Sequence, residues 1–266
     1  MAEYAKDYTI DELMAAALAR EIRDGEIYFQ TGTPLGMAAA QLARLTHAPN
    51  IVFGYYYALD PPLYNVGGEA EDPDLMCANS IKVLGAWDEF WGLGLRGKID
   101  TMMISAAQVD KYGNVNNSFI GDPDKPKVRF PGPIGTPEVM AYANRVLMYV
   151  PRHERRVFVE KVDFVTGMGH VPGGLKARRE LGVPGRGPEK MVTNLAVLGF
   201  DEDTGLMRLE TLHPGVSVED VKANTSFDLV MPKSVPQTEP PTVEQVELIR
   251  NKIDPLGIRM MRLPPA

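Results

Sequence analysis

The chain has 266 residues, 44% hydrophobic and 24% charged, a composition that builds a real core and excludes disordered, collagenous and coiled-coil proteins. Its 28 Lys and Arg against 35 Asp and Glu leave a net charge of -7, and no basic stretch is long enough to follow a phosphate backbone, so nucleic acid is not an expected partner. Cys77, the single cysteine, cannot form an intramolecular disulfide or a multi-thiolate metal site and reads as a small buried hydrophobe in a reducing cytoplasm.

The N-terminus lacks a basic start followed by an apolar stretch, and no run approaches the roughly 20 apolar residues that span a bilayer, so no membrane role is expected. Thr9-Ile10-Asp11-Glu12 has capping-box spacing, and Ile10, Met14, Leu18 and Ile22 recur every four residues, which predicts a helix stopped by Asp24-Gly25. A short strand over 26–30 follows. The glycine turn Thr31-Gly32-Thr33-Pro34 then feeds a second helix to Leu45 with Pro34 in its first turn. Residues 50–57 predict a buried strand, 61–74 a loop, 87–95 a helix and 99–104 another strand.

Further strands are predicted over 145–150, 157–165 and 191–200, the last turning through Asp201-Glu202-Asp203-Thr204-Gly205 into a partner over 206–212. Residues 167–188 hold seven glycines and three prolines and read as a long surface excursion. Helices are predicted over 218–223 after Ser217 and over 243–252 after Thr242, where Gln245 completes a capping box. Helices alternating with short apolar strands predict an α/β fold, an open, mostly parallel sheet with helices on both faces. No internal repeat or linker appears, so residues 1–266 are expected to form a single domain.

Polar loops at the carboxyl ends of such strands are where ligands bind. Gln108-Val109-Asp110-Lys111-Tyr112-Gly113-Asn114-Val115-Asn116 occupies that place after the strand ending at Ile104, which makes Gln108, Asn114 and Asn116 candidate substrate-binding residues. The alternative is a turn in which the Asn side chains bond their own backbone. In Arg129-Phe130-Pro131-Gly132-Pro133-Ile134-Gly135, backbone N–H groups at Gly132 and Gly135 are candidates for stabilising an oxyanion. Arg152, Arg155 and Arg156 suit either a phosphate or a salt-bridged rim. The histidines His47, His153, His170 and His213 lack metal-ligand spacing. Only His170, in the glycine-rich stretch, invites a substrate role, against the reading of a solvent-exposed imidazole. No Gly-x-Ser-x-Gly elbow is present.

Several segments together resemble the class I CoA-transferase family, on the side of its glutaconate-type beta subunits: Ala48-Pro49-Asn50, Ala107 through Asn116, Ile120-Gly121-Asp122, Glu160 through Thr166, Met191-Val192-Thr193 and Ile253-Asp254-Pro255. The resemblance implies an open α/β fold, an alpha-type partner subunit, an acyl-CoA substrate, and no cofactor beyond the coenzyme A that the substrate carries. It also implies a nucleophilic glutamate in a Glu-Ser-Gly triplet at the end of one strand. This chain reads Phe53-Gly54-Tyr55-Tyr56-Tyr57 there, so Tyr55 stands in the glutamate's place.

A phenol, with an ordinary pKa near 10, makes a poor nucleophile for an anhydride relay. The resemblance therefore implies hydrolytic C–C cleavage, such as the ring opening of steroid catabolism, or decarboxylation of an acyl-CoA thioester, with Tyr55 and Tyr56 as the catalytic candidates. The alternatives are a CoA-transferase with a relocated carboxylate such as Glu69, and a non-catalytic stabilising subunit in which the tyrosines only pack.

Overall fold

The computed structural model describes residues 3–30, 33–55, 58–60, 82–83, 87–133 and 135–259. Gly32, Tyr56, Tyr57, the predicted loop over 61–74 with Glu69 and Glu71, Cys77 and Ile134 lie outside the described residues. The chain divides into two compact units, one of residues 1–93 and 239–266 and one of residues 94–238. Among the described residues no helix is long and apolar enough to cross a membrane.

The first unit starts with α1 (Ile10–Arg20), where the Glu12 carboxylate reaches back to the Thr9 N–H at 2.9 Å. Every residue from Glu12 to Ala19 is buried, so the apolar surface is wider than the single stripe the sequence predicts. β1 (Ile27–Gln30) leads to α2 (Pro34–Leu45), which begins on Pro34 after an extended Thr33 and buries all of Leu35–Ala43. Alanines fill much of both helices, and small side chains let α1 and α2 pack closely.

β2 (Val52–Tyr55) lies parallel to β1, with Phe29 opposite Gly54 and Gln30 opposite Tyr55. A Cβ at Gly54 would stand 2.2 Å from the Phe29 ring, so the aromatic ring demands the glycine across the ladder. β3 (Ala58–Leu59) and β4 (Lys82–Val83) extend the sheet antiparallel, and α3 (Trp87–Leu95) follows. The C-terminal residues return to α1. The buried Glu12 carboxylate takes Arg250 Nε at 2.7 Å and Arg259 Nη2 at 2.8 Å, and Arg259 Nη1 meets Asp254 at 2.6 Å.

In the second unit β5 (Thr101–Ser105) and β10 (Arg145–Val150) are parallel, and β11 (Pro188–Thr193) runs parallel to β10 on its other side. All six β10 residues are buried, as expected of a parallel strand covered on both faces. β12 (Ala196–Phe200) and β13 (Met207–Leu212) complete this sheet antiparallel. The single strand predicted over 191–200 is therefore two. The Thr193 hydroxyl accepts the Leu195 and Ala196 N–H groups and folds the chain back on itself.

Two other expectations are corrected. Residues 157–165 form no strand; one bridge joins Phe158 to Val109, while Phe164 and Val165 project 44% and 47% exposed. The stretch over 167–188 is not a free excursion: it contains α5 (Gly174–Glu180) and buries both His170 and Arg178. The helices predicted at the C-terminal end appear as α6 (Val218–Ala223) and as α7 (Val243–Leu248), which continues as a π-helical turn, Ile249–Ile253.

Candidate functional site

The polar residues singled out in the second unit gather on the segments that follow β5. β6 (Gln108–Val109) and β7 (Val115–Asn116) form a hairpin. Asp110 shapes its turn, its carboxylate accepting the Tyr112 N–H at 3.0 Å, the Asn114 N–H at 3.1 Å and both contacts from Asn114 Nδ2. Burial raises the Asp110 carboxyl above its ordinary value, against the pull of those donors. Gly113 sits at φ +73°, and a Cβ there would stand 2.8 Å from the Phe200 ring, so this turn tolerates no side chain.

The three candidate amides spend their polar atoms on the protein. Besides holding Asp110, Asn114 accepts the Gly169 N–H at 2.9 Å. Asn116 Nδ2 donates to Gln108 Oε1 at 2.8 Å and to the Phe119 carbonyl at 2.7 Å, and its Oδ1 takes the Ser118 N–H at 3.0 Å. Gln108 Nε2 donates to Asp163 at 2.8 Å. All three side chains are therefore engaged by neighbouring groups of the chain.

Asn117, which nothing in the sequence singles out, is the joint between elements. Its Oδ1 accepts the Ala107 N–H at 2.8 Å and its Nδ2 donates to the Ser105 carbonyl at 2.9 Å, tying the end of β5 to the segment after β7. Thr166 seals the same joint, accepting the Asn117 N–H at 3.0 Å and meeting the Ser118 hydroxyl at 2.7 Å. Thr166 closes one of the segments that resemble the family, whereas the signal pointing to Asn117 is its adjacency in the chain to Asn116.

The glycine loop lies against this joint. A Cβ on Gly132 would stand 2.6 Å from the Asn117 carbonyl, and Gly135, at φ +70°, caps α4 (Thr136–Tyr142). A Cβ on Gly167 would meet Met140 at 2.6 Å and Thr136 at 2.9 Å. Backbone from residues 105–107, 117–118, 132 and 166–167 thus comes together near the carboxyl end of β5, with Gly132 and Gly167 at two of the close approaches.

Arg178 braces this cluster from within. It is fully buried and faces only carbonyls: Gly185 at 2.8 Å, Met168 at 3.0 Å, and Gly169 and Met140 at closer range. Burial without a carboxylate partner pushes the guanidinium down to about 10. His170 is neither exposed nor free. Its Nε2 meets the Pro188 carbonyl at 2.9 Å, its ring lies 5.2 Å from Phe200, and burial lowers its pKa. Nδ1 is buried without a partner, so the ring is a packing element that carries an unused acceptor.

His153 is likewise structural, stacked at 3.7 Å on Phe158 and pushed down to about 3 by burial. The arginine cluster is drawn into the chain: Arg155 donates to the Thr225 carbonyl and Arg156 pairs with Glu154. In the first unit, β2 closes on the backbone of Tyr55 opposite Gln30. The buried Gln30 amide accepts the Tyr28 hydroxyl at 3.1 Å and donates to Thr33 at 2.8 Å, and so links the end of β1 to the start of α2. Among the described residues no group of three or more His, Cys, Asp or Glu side chains is placed to hold a metal ion.

The family model for Coenzyme A transferase matches residues 11–224. The chain is 36% identical to the B subunit of the 3-oxoadipate CoA-transferase of Pseudomonas knackmussii, with 91% of this chain and 92% of that one aligned. It is 34% identical to the cholesterol ring-cleaving hydrolase IpdB subunit of Mycobacterium tuberculosis, over 93% and 96%. Among solved structures it matches glutaconate coenzyme A-transferase from Acidaminococcus fermentans with a TM-score of 0.84, at 32% identity over 98% of this chain and 100% of that one. The decarboxylase AibA/AibB matches with a TM-score of 0.80, at 29% identity over 95% and 98%. A model match across most of the sequence, together with an α/β fold shared from end to end, places the chain in the Coenzyme A transferase family.

Proposed function

We propose that the chain, residues 1–266 acting as one functional subunit, is the beta-type member of a hetero-oligomeric, cytoplasmic enzyme that acts on an acyl-CoA thioester. It joins an alpha-type subunit and breaks a C–C bond, by hydrolytic ring opening or by decarboxylation, rather than passing coenzyme A between acids. One observation carries this reading: the strand expected to end in a nucleophilic carboxylate ends at Tyr55, and the sequence continues with two more tyrosines, Tyr56-Tyr57. Relatives of similar identity include a ring-cleaving hydrolase and a decarboxylase, so the fold hosts chemistry besides transfer.

The two C–C reactions share an intermediate. In hydrolysis, water adds to a carbonyl β to the thioester, the C–C bond breaks, and its electron pair enters the thioester as an enolate. In decarboxylation the same enolate forms as CO2 leaves. The backbone N–H groups of Gly132 and Gly135 stabilise the developing oxyanion. Tyr55 and Tyr56 donate hydrogen bonds or position water, and the general base comes from the alpha-type subunit. Gln108, Asn114, Asn116 and Asn117 hold the loops in place, and His170 supports them through its backbone N–H on the Tyr112 carbonyl at 2.7 Å.

Transfer by a relocated carboxylate, from Glu69 or the partner, is the second reading, favoured by the 36% identity to a CoA-transferase chain. Transfer passes through a glutamyl-CoA thioester, which borohydride reduces and hydroxylamine traps. The proposal expects no modified Glu in this chain after the complex is mixed with acyl-CoA and either reagent. A modified peptide carrying Glu69 or Glu71 would establish transfer instead.

A further inference from the structure

Among the described residues Asp60 is the one non-glycine residue at positive φ, +49°, in the left-handed region that L side chains avoid. It stands where β3 ends, and both its backbone and its side chain bond to Phe53. The Asp60 N–H donates to the Phe53 carbonyl at 2.7 Å, and Asp60 Oδ1 accepts the Phe53 N–H at 2.9 Å. In a regular antiparallel ladder the second of these bonds runs to the partner's own carbonyl. Here the carboxylate takes the carbonyl's place and the strand stops; Pro61, next in sequence, has no N–H to continue it.

Phe53 is a firm anchor. It is 1% exposed, and its ring lies 6.0 Å from that of Tyr28. The other edge of β2 faces β1, where the Val52 N–H donates to the Glu26 carbonyl at 2.9 Å. With its ring in the core and both backbone groups taken by Asp60, Phe53 fixes the register of the β2–β3 hairpin, Gly54 opposite Leu59 and Tyr55 opposite Ala58. A slip by one residue would turn every side chain of the strand to the other face. Strain kept in the backbone beside a candidate reacting residue is the pattern of sites where exact placement matters.

We infer that Asp60 is a positioning residue for the reaction proposed above: it pins the hairpin register that holds Tyr55 at the end of β2. The inference rests on the proposed role of Tyr55. Asp60 itself stays out of the chemistry, since one carboxylate oxygen is committed to Phe53 and two residues of strand, roughly 6.5 Å, separate that pair from Tyr55. What the hairpin needs at residue 60 is a left-handed backbone and an acceptor, not a charge, and asparagine supplies both.

The test compares Asp60→Asn and Asp60→Gly in the assembled complex, by steady-state turnover of a β-ketoacyl-CoA thioester and by hydrogen exchange at the Phe53 N–H. Glycine keeps the backbone conformation and removes the acceptor. The expected result for Asp60→Gly is at least a tenfold lower kcat, a KM within threefold of native, and Phe53 exchange at least tenfold faster. Asp60→Asn should keep kcat within threefold of native and the exchange slow. A merely structural role would lower the unfolding temperature of Asp60→Gly and leave kcat of the folded complex intact, which would overturn the inference. A loss of turnover in Asp60→Asn as deep as in Asp60→Gly would overturn it too, because the charge would then act on the substrate. Should Asp60→Gly not assemble, Asp60→Asn decides by the same two readings. If the complex passes coenzyme A to an acid and the variants still rank this way, the proposed function fails and this inference stands; if C–C cleavage proceeds in Asp60→Gly at the native kcat, the reverse holds.

Discussion

Asn114→Ala probes whether the amides after β5 are clamps, because three interactions converge on one side chain. The substitution removes both Nδ2 contacts to Asp110, at 3.1 and 2.9 Å, and leaves the buried Gly169 N–H without its acceptor. Hydrogen bonds to a charged group contribute about 1.5–3 kcal/mol, and a buried donor left unpaired costs about 1–3 kcal/mol. Some compensation by water at Asp110 is expected, which puts the loss at about 3–5 kcal/mol, a large share of the stability of an ordinary domain. The assay is urea unfolding at pH 7.5 with the slope unchanged. Pairing it with Asp110→Asn in a double-mutant cycle should return a coupling above about 1 kcal/mol, since the two residues share one network. A loss below about 1 kcal/mol for Asn114→Ala would refute the clamp reading, because the side chain would then be free for substrate.

Three further outcomes follow from the same geometry. His153 and His213 have pKa values pushed down by burial to about 3 and about 4, so the unfolded chain binds protons that the folded one refuses. Stability should be full above pH 6.5 and fall on acidification by about 1.4 kcal/mol per unit for each group, partly offset by the raised Asp110 carboxyl, and His153→Gln should flatten the slope of unfolding free energy against pH. Arg178→Met orphans the carbonyls of Gly185, Gly169 and Met140, and thermal unfolding of the variant should register a loss of about 3 kcal/mol or more. Gly132→Ala drives a Cβ to 2.6 Å from the Asn117 carbonyl, a backbone atom that has to shift, so Tm should fall and steady-state turnover by the folded complex should drop at least about tenfold.

What was legible in the sequence was local. Glu12 returning to Thr9 and Thr242 with Gln245 form as their spacing predicts, and the structure adds a third cap in Ser217 with Asp220, because a cap is decided within four residues. The parallel strands were legible because each carries a short apolar run, Val146 to Val150 in β10 and Met102-Met103-Ile104 in β5. Val157, Val159, Phe164 and Val165 have strand composition too, yet whether a partner strand lies beside them is a long-range matter that composition does not encode. The reversal at Thr193-Asn194-Leu195 carries neither Gly nor Pro; it runs on a hydroxyl that accepts two N–H groups.

At the site, the polar residues after β5 were legible by position, but not the direction they face. Asn114 turns inward because Asp110 and Gly169 present buried groups that need partners, and Gln108 and Asn116 bond each other as Gln108 reaches Asp163. His170 and Arg178 gave no sign of burial from a stretch so rich in glycine; those glycines press against backbone at Tyr112, Gly113 and Glu202 rather than loosening the chain.

The central claim is that this subunit serves C–C bond cleavage of an acyl-CoA thioester without an accepting acid. The most direct measurement is single-turnover analysis of the assembled complex with acyl-CoA in buffer free of any other carboxylic acid. The account predicts consumption of the thioester at a rate unaffected by later addition of acetate or a dicarboxylic acid, with a ring-opened or decarboxylated CoA ester as product. No reaction until an acid is added, with coenzyme A then found on that acid, would contradict it.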